Sequence, residues 1–120
     1  MITKVVGVRF YNDKVSRQEI ISKLKGDEQI FLRREPTNRF SKNAIAVMVK
    51  GNPSVKIGYV KDELACLLSD FWKEFKFFAK ISEVRVGNLS ENIYWGVSIN
   101  ITKAKLNKKF KKPSLNEKRG

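Results

Sequence analysis

Residues 93–101 read IYWGVSINI, and every second position of this run, from Ile93 to Ile101, is apolar. Successive side chains of a β-strand point to opposite faces, so the alternation predicts a strand with one face in a core. Residues 77–86 form a second long β-prone run, and turn-forming residues at 87–92 join the two. This pair predicts a protein built mainly on antiparallel sheet.

Outside this pair, short β-prone runs predict four more strands, at residues 2–11, 28–34, 44–50 and 55–60. Ser16 and Glu19 have the spacing of a helix start, which predicts a short helix ending near Gly26. Leucines three and four residues apart predict a second helix at 61–72. Six strands and two short helices predict a small, mostly β, antiparallel barrel, since closure leaves no strand edge exposed.

The charge of the chain indicates its class of partner. The 120 residues hold 25 Lys and Arg against 12 Asp and Glu, a net charge of +13, while 42% hydrophobic residues are typical of one folded domain. Such an excess attracts polyanions, either nucleic acid or an anionic membrane. No apolar run is long enough to span a membrane or to form a signal-peptide core. We therefore expect a cytoplasmic monomer whose partner is nucleic acid, with no membrane contact.

The basic residues are concentrated at the C-terminal end. Residues 101–120 contain eight Lys or Arg and one Glu, and they include few apolar side chains. This composition predicts a domain at 1–102 and a basic tail at 103–120 that is flexible until a polyanion orders it. A tail that only aids solubility is the alternative.

The missing residue types exclude many catalytic chemistries. The chain has no histidine, and its one cysteine, Cys66, lies in an apolar stretch of the second predicted helix. Zinc sites and Ser-His-Asp or Cys-His nucleophiles therefore lack their residues. A nuclease that holds magnesium with acids such as Asp70 and Glu74 remains as an alternative, although four-residue spacing is more typical of a solvated helix face. We expect a protein that is not an enzyme and needs no cofactor or metal.

Three ordered motifs lie between residues 4 and 100. They read GVRFY at 7–11, REPTNRFSKNAIAV at 34–47 and IGYVKDELA at 57–65. Together they resemble the HIRAN domain family. The resemblance implies a modified OB-like barrel that binds single-stranded DNA and captures its free 3′-hydroxyl end. It also implies a role in DNA repair or replication-fork processing, with any helicase or nuclease acting in trans.

The resemblance assigns the DNA pocket to a short set of residues: Arg9, Phe10, Asn38, Phe40, Tyr59 and Lys61. The chemistry of the residues agrees, because bases stack on aromatic rings such as those of Phe10, Phe40 and Tyr59. Phosphates are neutralised by cations, for which the candidates are Arg9, Arg34, Arg39, Lys42 and Lys61. For each aromatic, a place in the core is the alternative.

Two positions depart from the family pattern. This chain has Ser41 where members that read the 3′-hydroxyl carry an aspartate, and Arg39 at the preceding proline-type position. A serine is a weaker acceptor than a carboxylate, and an added guanidinium favours a continuous phosphate backbone. General binding of single-stranded DNA, duplex DNA or RNA therefore stays open. A protein-interaction module that inhibits a nucleic-acid enzyme is a further alternative.

Overall fold

The structure, a computed structural model, describes residues 1–106. It confirms a mostly β chain with two short helices, and its elements can be given in chain order. These are β1 (Ile2–Lys4), β2 (Tyr11–Asn12), β3 (Val15–Ser16), α1 (Arg17–Ser22), β4 (Gln29–Arg34), β5 (Ile45–Val49), β6 (Val55–Tyr59), α2 (Asp62–Asp70), β7 (Phe75–Arg85), a 3₁₀ turn (Leu89–Glu91) and β8 (Gly96–Lys105).

Six strands form one antiparallel sheet, as the sequence predicts, and the structure gives their order as β1-β8-β7-β4-β5-β6. Its centre is the long β7–β8 hairpin, in which the predicted inward residues Val97 and Ile99 are fully buried. The start of the last strand was predicted wrongly. β8 begins at Gly96, and Ile93 is half exposed and pairs with Asn88, because the two residues close the loop around the 3₁₀ turn Leu89–Glu91 before the strand starts.

The N-terminal segment joins the two edges of the curled sheet. β1 pairs with β8, and Val5 N continues this contact by donating to Val97 O (2.9 Å). On the other edge, Val6 and Tyr59 exchange two backbone hydrogen bonds of 2.9 and 2.8 Å. This seam closes the sheet at one point. It requires Gly58, because a Cβ there would lie 2.4 Å from Val6 O.

The long first strand predicted at 2–11 is wrong. β1 ends at Lys4, and Gly7, with φ +72°, turns the chain away from the sheet. Residues 11 and 12 then pair with β3 in a separate two-stranded ribbon, whose turn has Asp13 at φ 57°. Because β1 pairs with β8 alone and the chain turns at Gly7, the strand cannot continue, and residues 7–10 form a loop beside the seam.

Both helices are shorter than predicted. Ser16 caps α1 by accepting a hydrogen bond from Gln18 N, and Ile21 enters the core, but α1 ends four residues before Gly26. α2 ends at Asp70, so Glu74 does not share its helix. Within residues 1–106, no group of three or more Cys, Asp or Glu is placed to hold a metal ion, and no helix is long and apolar enough to cross a membrane.

The last strand extends beyond residue 102, where the sequence analysis placed the end of the domain. β8 continues to Lys105, and Leu106 N donates to Glu74 O (3.0 Å), so the first residues of the segment predicted as a tail belong to the folded domain. The rest of that segment, 107–120, lies outside the described residues.

Candidate nucleic-acid interface

An open groove of about 710 Å³ lies beside the seam. Four segments line it: the loop after β1, the start of α1, the loop between β4 and β5, and the turn from β6 into α2. Its lining side chains are Val6, Phe10, Arg17, Asn38, Arg39, Phe40, Ser41, Ala44, Tyr59, Val60 and Asp62, with Gly7 at the floor. Six of the ten predicted site residues are therefore brought together in one place.

A half-buried carboxylate, that of Glu35, fixes one wall of the groove. Tyr59 Oη donates to Glu35 Oε1 (2.8 Å), and Lys56 Nζ contacts Glu35 Oε2 at 2.7 Å. Burial raises the pKa of the Glu35 carboxyl. Hydrogen bonds from Lys56, Tyr59 and Asn38 and the charge of Lys56 lower that pKa by more, so that the net value is about 2. Glu35 is ionised at neutral pH, and it holds the Tyr59 ring in place.

Asn38 organises the loop that carries the exposed aromatic. Its Oδ1 accepts hydrogen bonds from the backbone N–H of Phe40 (2.8 Å) and Ser41 (3.1 Å), which is the geometry of an Asx turn. Its Nδ2 donates to Glu35 Oε1 (3.2 Å). Asn38 was predicted as a ligand contact. In the structure both the oxygen and the nitrogen of its amide form hydrogen bonds that position the loop.

The two phenylalanines of the groove are exposed. Phe40 is 89% exposed, with the Arg39 guanidinium 5.6 Å from its ring centroid, and Phe10 is 60% exposed. The alternative that these rings belong to the core does not hold for either. Tyr59 is half-buried and contacts Lys56, whose Nζ lies 4.7 Å from the ring centroid. An exposed ring beside a guanidinium is a suitable platform for a nucleobase.

Two groove residues were missed by sequence reasoning. Arg17 is buried, donates to Gly7 O (2.8 Å) and Asn12 Oδ1 (2.8 Å), and lies 5.4 Å from the Tyr59 ring centroid. Asp62 accepts a hydrogen bond from Ser41 Oγ (3.1 Å). In the sequence Arg17 is an ordinary first-turn helix residue that no motif marks, whereas Asp62 lies in the motif at 57–65, next to Lys61, but was not assigned to the pocket.

The other four predicted site residues are cations that do not line the groove. Lys42 and Lys61 are exposed neighbours of Ser41 and Asp62. Arg9 is exposed, with its guanidinium 5.3 Å from the Tyr94 ring centroid. Arg34 lies over Trp72, 6.0 Å from that ring, and its buried Nε has no hydrogen-bond partner among residues 1–106. Arg39 in the lining and the exposed Lys42 and Lys61 next to lining residues are here called the cationic rim, to which Arg9 and Arg34 do not contribute because they contact rings outside the groove.

Comparisons with known proteins agree with the fold and the motifs. A family model described as the HIRAN domain matches residues 1–103. The helicase-like transcription factor of Oryctolagus cuniculus is 41% identical over 66 residues, which are 54% of this chain and 5% of that protein, so the chain spans a small part of its relative. The crystal structure of the HIRAN domain of human HLTF has a TM-score of 0.56 at 22% identity, covering 84% of this chain and 73% of that one. A Lactobacillus plantarum protein has a TM-score of 0.51 at 19% identity, covering 83% and 90% of the two chains.

Proposed function

The chain belongs to the HIRAN domain family, a family of DNA-binding modules, and we propose that it binds single-stranded DNA in the groove beside the seam without catalysing a reaction. The observation that carries the proposal is Phe40, a phenylalanine that is 89% exposed at the mouth of a groove with a cationic rim. Phe10, which is 60% exposed, lines the same groove, and apolar surface that is gathered in a groove marks a binding site. DNA repair or fork processing, with a helicase or nuclease acting in trans, is the setting we propose.

The groove suits a single strand better than a duplex. Bases of a single strand expose their faces, and each base stacked on an aromatic side chain contributes about 1 to 3 kcal/mol. Arg39, Lys42 and Lys61 are the cations that we propose neutralise the phosphates of such a strand, since Arg39 lines the groove and the two lysines are exposed neighbours of lining residues. A binding panel of single-stranded DNA, duplex DNA and RNA at stated salt tests this choice. Equal affinity for the duplex would contradict it, and tighter binding to RNA would reassign the ligand.

Phe40→Ala is expected to weaken binding of a single strand by about 1 to 3 kcal/mol, because it removes one stacking surface. Arg9→Ala is expected to weaken it less. The loss in Phe40→Ala should persist at high salt, where phosphate contacts are screened, and fluorescence anisotropy across a salt series measures it. The matched control is Phe71→Ala, a 42% exposed ring outside the groove. If the Phe40 and Phe71 variants bind alike, Phe40 is not a contact.

The preference for a strand end depends on a carboxylate, which Asp62 supplies at the place where Ser41 replaces the family aspartate. Ser41 Oγ and Asp62 Oδ1 lie 3.1 Å apart, so both face the same point of the groove. We propose that Asp62 accepts a hydrogen bond from a terminal 3′-hydroxyl and repels a 3′-phosphate. Ser41→Asp alone would place two carboxylates together, and one of them would take up a proton.

Asp62→Asn is therefore expected to reduce the affinity ratio between strands with 3′-hydroxyl and 3′-phosphate ends. The double variant Ser41→Asp/Asp62→Ser returns one carboxylate to the loop and is expected to restore the ratio. Glu63→Gln changes the same charge on the neighbouring exposed residue and serves as the control. An unchanged ratio in Asp62→Asn would remove end recognition from the proposal and leave strand binding intact.

A further inference from the structure

The outer face of the sheet at β4 and β7 exposes two aromatic rings. β4 and β7 pair Gln29 with Lys80 and Ile30 with Ala79, and Phe31 and Phe78 are the next residues of the two strands beyond the last of these pairs. Phe31 is 36% exposed and Phe78 is 47% exposed, and both line one shallow depression. Adjacent exposed phenylalanines on a sheet face are costly in water unless a partner covers them.

Lysines surround the two rings. Lys50, Lys76 and Lys80 line the same depression, and Lys76 Nζ lies 5.6 Å from the centroid of the Phe78 ring. Two acids, Asp27 and Glu28, also line the depression. The carboxylate of Glu28 accepts hydrogen bonds from the backbone N–H of Lys25 (2.8 Å) and Gly26 (2.9 Å). Aromatic rings among cations suit bases and phosphates of a nucleic-acid strand.

The end of β4 leads from the depression towards the groove. Phe31, which lines the depression, alternates along the chain with Arg33 and Glu35, and Arg33 is half exposed. Glu35 accepts a hydrogen bond from Tyr59 Oη, and Tyr59 lines the groove. At about 3.3 Å per residue, Phe31 lies about 13 Å from Glu35. A strand that leaves the groove past Arg33 would cross about this distance to reach Phe31.

We propose that Phe31, Phe78, Lys50, Lys76 and Lys80, here called the β4–β7 face, form a second contact surface for the same single-stranded DNA. This inference rests on the proposed function, because the groove anchors one part of the strand and the β4–β7 face binds the part that extends from it. The rings of the face stack bases and its lysines neutralise phosphates. Affinity therefore depends on strand length.

The test compares two thymidine strands of about 4 and about 16 nucleotides, which bracket the site sizes of OB-like domains. The double variant Phe31→Ala/Phe78→Ala is expected to bind the long strand at least about fivefold more weakly and the short strand as the unmodified protein does. Phe40→Ala is expected to lose affinity for both strands, and Phe71→Ala for neither. Fluorescence anisotropy measures all four proteins, with thermal unfolding as the check that each is folded.

Each other result contradicts one of the two proposals. An unchanged affinity of the Phe31/Phe78 variant for the long strand, or an equal loss on both strands, overturns the β4–β7 face. If unmodified protein binds neither strand, the proposed function fails and not the face alone. Sedimentation of the free protein tests whether a second copy of this chain binds the β4–β7 face instead of DNA. A dimer that Phe31→Ala/Phe78→Ala abolishes would overturn the assignment to DNA. A folded Phe31→Leu/Phe78→Leu variant that keeps full affinity would also contradict stacking.

Discussion

Replacing Gly58 with alanine is expected to destabilise the protein by about 3 kcal/mol or more. The added Cβ would lie 2.4 Å from Val6 O and 2.5 Å from Val5 Cγ1, so the N-terminal segment must move away from β6. That movement breaks the paired hydrogen bonds between Val6 and Tyr59, which close the sheet. Urea unfolding measures the loss, and binding should fall with it, because Val6 and Tyr59 also line the groove.

The control for this prediction is Gly51→Ala, in an exposed turn where the added Cβ meets only a loop carbonyl, Pro53 O, at 3.1 Å. It is expected to change the free energy of unfolding by less than about 1 kcal/mol. Equal unfolding midpoints for Gly58→Ala and the unmodified protein would show that the seam does not hold the fold.

Glu35→Gln is expected to cost about 3 kcal/mol at neutral pH. The pKa of Glu35 is lowered from 4.5 to about 2 in the folded protein, and each unit corresponds to 1.36 kcal/mol. The variant also leaves Lys56, whose side chain is 19% exposed, without its carboxylate partner. Because Tyr59 and Asn38 both donate to Glu35, the groove wall and its loop should loosen, and affinity for a single strand should drop as well.

The stabilisation by Glu35 is expected to depend on pH. A carboxylate whose pKa is depressed on folding stabilises the protein above its unfolded pKa, and that contribution disappears as the pH falls from about 4.5 towards 2. The gap in unfolding free energy between the unmodified protein and Glu35→Gln should therefore shrink over this range. Glu19→Gln, which breaks an exposed pair with Lys23, should have little effect at any pH. A gap that stays constant with pH would contradict the role of Glu35.

The sheet could be predicted where one periodicity dominates. The alternation at 97–101 identifies β8 because its inward residues are buried, and the β5–β6 hairpin follows from two apolar runs around a turn. The N-terminal segment could not be predicted, since its pairing with both β8 and β6 depends on closure of the whole sheet. The β-strand propensity of a short segment carries no information about pairing with strands that are distant in the sequence.

The groove was partly predictable for a similar reason. Asn38, Phe40 and Ser41 follow one another in a polar loop, and motif reasoning finds residues that are close in sequence. Arg17 and Asp62 come from two helices separated by three strands, and they reach the groove only through the fold. Asp62 shows the consequence, because its carboxylate accepts a hydrogen bond from Ser41 although the two residues are 21 positions apart in the chain.

Binding of a single strand in the groove can be observed as changes in the backbone amide NMR resonances when a short thymidine strand is added. We predict that the amides of Gly7, Phe40, Ser41 and Asp62 shift at low strand concentration, and that those of Leu67–Phe71, at the far end of α2, do not. Shifts confined to residues outside the groove, or no shift at strand concentrations that saturate the anisotropy signal, would contradict the account.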